Sequence, residues 1–166
     1  MKPTAIVYTS VAGHTRQYAF MLGEQLGLPV YSLDAASAQL SGRAVIYLGW
    51  IHASHVTGYS SAAKRLSVCA VCAVGLCDTG TLVAEVRRAS SIPQDIPLFS
   101  LQGGIDRSRL KGMDKLMISM LARGLAAQKQ RSPQDDRMLE LLRQDRSYVR
   151  QENLAGILQW YRERYS

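Results

Sequence analysis

Ala5-Ile6-Val7-Tyr8-Thr9-Ser10-Val11-Ala12-Gly13-His14-Thr15 is the stretch on which the fold turns. An apolar, β-branched run stops at small and hydroxylated residues, and a helical pattern follows at once. This predicts a strand, a tight loop and a helix N-terminus. The loop offers hydroxyls from Thr9, Ser10 and Thr15, and Gly13 allows close approach of the backbone. Unpaired amides and the positive end of the helix dipole favour an anion there. Neither the Lys-Ser/Thr of a triphosphate loop nor the dinucleotide glycine fingerprint is present. With no lysine to neutralise several phosphates, the loop predicts a monophosphate held by amides and hydroxyls. Capping of the helix by Ser10 and Thr15 is the simpler alternative, but it needs neither three hydroxyls nor a glycine.

Outward from this loop, strand-like runs recur with helical patterns between them. Strands are expected at 4–8, 30–33, 44–48, 68–74 and 97–101, and helices at 15–26, 57–66 and 81–89. Central strands that are apolar throughout indicate a parallel sheet covered on both faces. Five strands in this rhythm predict an α/β doubly wound sheet of order 2-1-3-4-5, which binds ligands beyond the carboxyl ends of its strands. The loops Thr9–Thr15, Gly49–Gly58 and Gly75–Gly80 should therefore converge. After the fifth strand an extra helical segment is expected, with helices at 112–127, 134–144 and 151–165, the last closing over the sheet. No repeat or linker divides the chain, so residues 1–166 are read as one domain.

The second loop, Gly49-Trp50-Ile51-His52-Ala53-Ser54-His55, places a Trp directly after a buried strand. A flat aromatic ligand would cover Trp50 while backbone groups of residues 50–53 bond its edge; alternatively, Trp50 packs under the next helix. His14, His52 and His55 match no strong metal signature, and the loop holds no Asp or Glu. In the third loop, Leu76, Cys77, Asp78, Thr79 and Gly80 would pass along the other side of the same ligand. Asp78 or Thr79 could also cap the next helix. No nucleophile–base arrangement or paired carboxylate stands out, which points to a cofactor that performs the chemistry.

Hydrophobic residues make up 47% of the 166 and charged residues 20%, as in a soluble globular protein. No apolar run approaches the roughly 20 residues needed to span a bilayer. Met1-Lys2-Pro3 leads into the first strand without the pattern of a signal peptide, so cytoplasmic residence is expected. Cys69 and Cys72 have the spacing of a redox pair, yet lie in an apolar strand where residues three apart face opposite ways; buried free thiols are expected. The net charge of +7 is uneven: residues 1–104 carry seven Lys/Arg against five Asp/Glu, and residues 105–166 thirteen against eight. Met113, Leu116, Met117, Met120, Leu121 and Leu125 form one stripe of the 112–127 helix, among Lys111, Lys115, Arg123 and Lys129. Such a stripe is usually core, though an apolar face edged by basic residues also suits the inner surface of a membrane.

These residues resemble the flavodoxin superfamily over nearly the whole chain. Tyr8 to Thr15 is similar to its FMN phosphate loop, Gly49-Trp50-Ile51-His52 to its first flavin-flanking loop, and Gly75–Gly80 to its second. Leu101-Gln-Gly-Gly-Ile-Asp-Arg107, Leu110 to Ile118 and the late Trp160 resemble flavodoxin-domain proteins related to the menaquinone-dependent protoporphyrinogen oxidase. The resemblance implies FMN held non-covalently by Thr9 to Thr15, Trp50 to Ala53 and Leu76 to Gly80. It implies an oxidoreductase exchanging electrons with a quinone or small-molecule substrate, with no nucleic-acid partner. Ala12 stands where the family usually has a hydroxyl residue, His14 where it has Asn, and the chain is basic where electron-carrier flavodoxins are acidic. An electron carrier and a binding module that has lost FMN are the alternatives.

Overall fold

The computed structural model describes residues 1–36 and 39–166. Its elements are β1 (Ala5–Thr9), α1 (His14–Leu26), β2 (Val30–Ser32), α2 (Leu33–Ala36), β3 (Ala44–His52), β4 (His55–Val56), α3 (Tyr59–Arg65), β5 (Ser67–Gly75), α4 (Val83–Ala89), β6 (Leu98–Gln102), α5 (Gly112–Ala127), α6 (Pro133–Arg143) and α7 (Ala155–Tyr165). A 3-10 turn, Gln151–Leu154, runs into α7.

The sheet runs β2-β1-β3-β5-β6, every pair on this path parallel. Alternate residues of each strand serve opposite faces. Ala5, Val7, Val45, Tyr47, Val71 and Ala73 pack with Tyr59 and Ala62 of α3 and Val86 of α4. Ile6, Ile46, Leu48, Ala70, Cys72 and Val74 pack with Tyr18, Ala19 and Leu22 of α1 and Ile157 and Tyr161 of α7. Helices thus cover both faces, and α7 closes one of them.

The strand order departs from the expected 2-1-3-4-5 because β3 does not stop at Gly49. It continues to His52 and folds back antiparallel through β4, so the last two parallel strands are β5 and β6. Ala53 and Ser54 both have positive φ, +47° and +65°, which is the signature of a two-residue type I′ hairpin. Gly49 permits the return: a Cβ there would lie 2.5 Å from the Thr57 carbonyl oxygen.

A second departure lies in β5. The register slips between Val45 and Ile46, leaving Cys69 as the extra residue between partners Val68 and Ala70. The bulge resets the alternation, so Cys69 and Cys72 pack on the same face rather than opposite ones. Both are free thiols, and the Cys69 thiol donates to the Val45 carbonyl at 3.1 Å.

The excursion after β6 is fastened at its base. Gly104 bridges Ser147, Tyr148 N–H donates to the Gly103 carbonyl at 2.7 Å, and Ile105 N–H donates to Arg146 at 3.3 Å. Gly104 has φ +146°, and a Cβ on it would stand 2.1 Å from the Arg146 carbonyl oxygen. Tyr18 ties the same region to α1, donating to the Gln102 carbonyl and accepting from Asn153 Nδ2 at 2.6 Å. Within the excursion, α6 starts at a capping box of Ser132 and Asp135 and buries Leu139, Leu141 and Leu142. The stripe of α5 is not core: none of its residues is buried, and Met113 is 78% exposed. No helix among the described residues is long and apolar enough to cross a membrane.

Candidate functional site

A cavity of about 210 Å³ lies beyond the carboxyl ends of β1, β3 and β5. Ser10, Val11, Ala12, His14 and Thr15 form one wall, and Trp50, Ile51, His52 and Ala53 another. Val74 and Gly75 of β5 and the following Leu76 line it as well. The remaining wall comes from the excursion, with Ile105, Asp106 and Leu110, then Asp114, Met117, Ile118 and Leu121 of α5.

The first loop is held by its own residues. Gly13 N–H donates to Ser10 Oγ at 3.2 Å, and Gly13 adopts φ +96° as the N-cap of α1. No side chain caps that helix, so first-turn amides face the loop without the carboxylate or hydroxyl partner that usually satisfies them. Thr15 is nearly fully buried. Thr9 turns away from the cavity: the Tyr47 hydroxyl donates to the Thr57 carbonyl at 2.7 Å and accepts from Thr9 at 2.8 Å. Burial pushes the Tyr47 hydroxyl up to about 12, so this relay stays neutral.

His14 is mostly buried, and loss of water pushes its pKa below 6.5. Asp106 pulls it upward and Arg109 pushes it further down. A neutral imidazole therefore faces the loop near pH 7.

The second wall is an extension of the sheet rather than a loop. Ile51 covers Gly75, where a Cβ would meet its Cδ1 at 2.8 Å. Trp50 stands edge-on to His52, ring centres 5.1 Å apart. Its Nε1–H is buried without a hydrogen-bond partner, a condition shared among the described residues with Ser100 Oγ alone. Buried polar groups normally find partners; this nitrogen has almost no accessible surface, so Trp50 lines the cavity with other atoms of the residue. His52 Nε2 approaches Asp114 Oδ1 at 3.5 Å, bridging the hairpin to α5.

Of the third loop, Leu76 reaches the cavity, while Cys77, Asp78, Thr79 and Gly80 do not line it. Asp78 pairs with Arg137 of α6 at 3.4 Å. Thr79 Oγ1 accepts from Gln102 N–H at 3.0 Å, and Gly80 N–H donates to Ser100. Neither Asp78 nor Thr79 caps α4, whose N-cap is Leu82 with no side-chain bond. Burial raises the Cys77 thiol above its ordinary value, as do Asp78 and Glu85.

Arg109 escaped sequence reasoning. Its Nη1 donates to the Ala12 carbonyl at 3.3 Å, across 97 residues of chain. No local pattern marks such a contact.

No protein-family model matches the chain. Nor does any curated protein match it. Among solved structures, one titled "Crystal structure of an hypothetical protein" aligns at 13% identity over 99% of this chain and 79% of its own, with a TM-score of 0.39. A likeness that distant supports no argument about function.

Proposed function

We propose that the chain is a flavodoxin-like protein that binds FMN non-covalently and works as an oxidoreductase, exchanging electrons with a quinone or small-molecule substrate. The observation that carries this is one cavity, at the strand ends of a parallel sheet, shared by an uncapped helix N-terminus and Trp50. The uncapped amides, Ser10 and Thr15 suit a phosphate, and the apolar end between Trp50, Ile51 and Leu76 suits a flat ring.

FMN bound there would supply the electron transfer. The chain's own residues bind, orient and exclude water. Loop amides and hydroxyls would hold the phosphate, with His14 as a neutral partner. Trp50, Ile51 and Leu76 would exclude water from the ring.

A cofactor cleft typically measures about 300–1,000 Å³, whereas this cavity is about 210 Å³. Admitting a whole flavin therefore requires its α5 wall to move outward. The α5 wall buries none of its residues and is held to the hairpin by the His52–Asp114 pair at 3.5 Å. The same small volume favours a second reading, a flavodoxin-fold binding module without flavin. In the FMN reading, the exposed Met113, Leu116 and Met120 of α5, with Lys111, Lys115 and Arg123 nearby, would meet a quinone at a membrane surface.

A visible spectrum of the purified protein decides between the two. Flavin absorbance, native or after adding FMN, supports the cofactor; none at all leaves the binding module. Ser10→Ala with Thr15→Ala should weaken FMN binding, and unchanged affinity would refute the phosphate assignment.

A further inference from the structure

We infer that Arg109 is the counter-ion of the phosphate in this site and sets its preference for phosphorylated over unphosphorylated flavin. This rests on the FMN reading above. The side chains lining the cavity include two carboxylates, Asp106 and Asp114, and no Lys or Arg. His14 is held neutral by burial. A dianion brought to the loop would therefore meet amides, hydroxyls and negative charge unless a cation came from elsewhere.

Arg109 supplies that cation at the rim. Its Nη1 rests on the Ala12 carbonyl, and a Cβ on Gly13 would fall 2.7 Å from the same nitrogen. Glycine adopts the positive φ and also leaves room for the guanidinium, which a side chain at this position would push aside. The arginine is also held in place: its Nε pairs with Asp106 Oδ2 at 3.3 Å, and its backbone N–H donates to the Asp106 carbonyl at 3.1 Å. Asp106 is itself fixed by the backbone N–H and hydroxyl of Ser108. These contacts occupy two of the five guanidinium donors, and the remaining planar fork matches phosphate oxygens. Because Arg109 stands three residues before α5, a phosphate clasped by it would also tie down the root of that wall.

Affinities for FMN and for riboflavin, read by flavin fluorescence, test this with wild type, Arg109→Gln and Arg109→Lys. Wild type should prefer FMN at least tenfold. R109Q should lose about tenfold in FMN affinity, the low end for a charge-assisted contact because the group is exposed, with riboflavin affinity unchanged. R109K should fall between, keeping charge without the fork. Salt should narrow the preference in wild type and not in R109Q. R109Q weakening both flavins equally, or neither, overturns the role of Arg109 and leaves the cofactor standing. Wild type binding both flavins alike overturns the phosphate assignment as well, and binding neither overturns the FMN reading with it.

Discussion

Replacing Tyr18 with Phe removes one buried hydroxyl and leaves the ring in place. The side chain is fully buried, so the loss can be traced bond by bond. Its O–H donates to the Gln102 carbonyl, and Asn153 Nδ2 donates to its oxygen at 2.6 Å. Asn153 keeps a second acceptor, the Tyr148 carbonyl at 3.0 Å, so the Gln102 carbonyl bears most of the cost. An unmade buried hydrogen bond costs about 1–3 kcal/mol. The phenol no longer has to be desolvated, which draws the figure towards about 1–2 kcal/mol. In a chain of 166 residues this lowers Tm by about 2–8 °C. Urea denaturation should show an earlier midpoint with an unchanged slope, since the surface exposed on unfolding is the same. Asn153→Leu should couple to Y18F by about 0.5–1.5 kcal/mol in a double-mutant cycle. Because Gln102 leads into Gly103 and Gly104, the variant should also loosen the wall carrying Asp106. A Y18F stability within about 0.5 kcal/mol of wild type would refute the hub, since that is the size of an ordinary surface change.

Other outcomes can be checked alongside. Gly13→Ala forces a side chain into φ +96° and should cost about 1–2 kcal/mol, seen in thermal melts, while displacing Arg109 and weakening FMN. His14 has a lowered pKa in the folded state, so the unfolded chain binds the proton more readily. Stability should therefore be full above pH 6.5, fall as pH drops from 6.5 through the lowered value, and fall less in His14→Gln. A pH-independent difference between the two would contradict the burial of that ring. Wild type should sediment with anionic vesicles at low salt and Met113→Asp/Met120→Asp should not; equal sedimentation would remove α5 from the membrane reading.

Much of the architecture was legible because burial on both faces leaves a direct trace. The apolar cores of β1, β3 and β5 and the small residues at their ends placed three loops at one end of the sheet. The hairpin was not legible, since Gly49 looks like a stop. Its actual service is to let the Thr57 carbonyl pass close by. Cys69 misled for a related reason: strand parity holds only while the register is unbroken, and a bulge is set by packing between strands. The stripe on α5 announced an amphipathic helix but could not say what lies against it.

The sequence by itself determined the strand–loop–helix opening and the parallel α/β rhythm. These depend on residues close in the chain and on periodicities that local sterics impose. Only the tertiary structure decided that Thr9 serves Tyr47, that Asp78 is engaged by Arg137, and that Arg109 reaches Ala12. Those pairings join residues far apart in the chain, and their energies arise only once the sheet has brought its ends together. The loop before α1 was readable early; the Arg109 cation beside it became visible only in the fold.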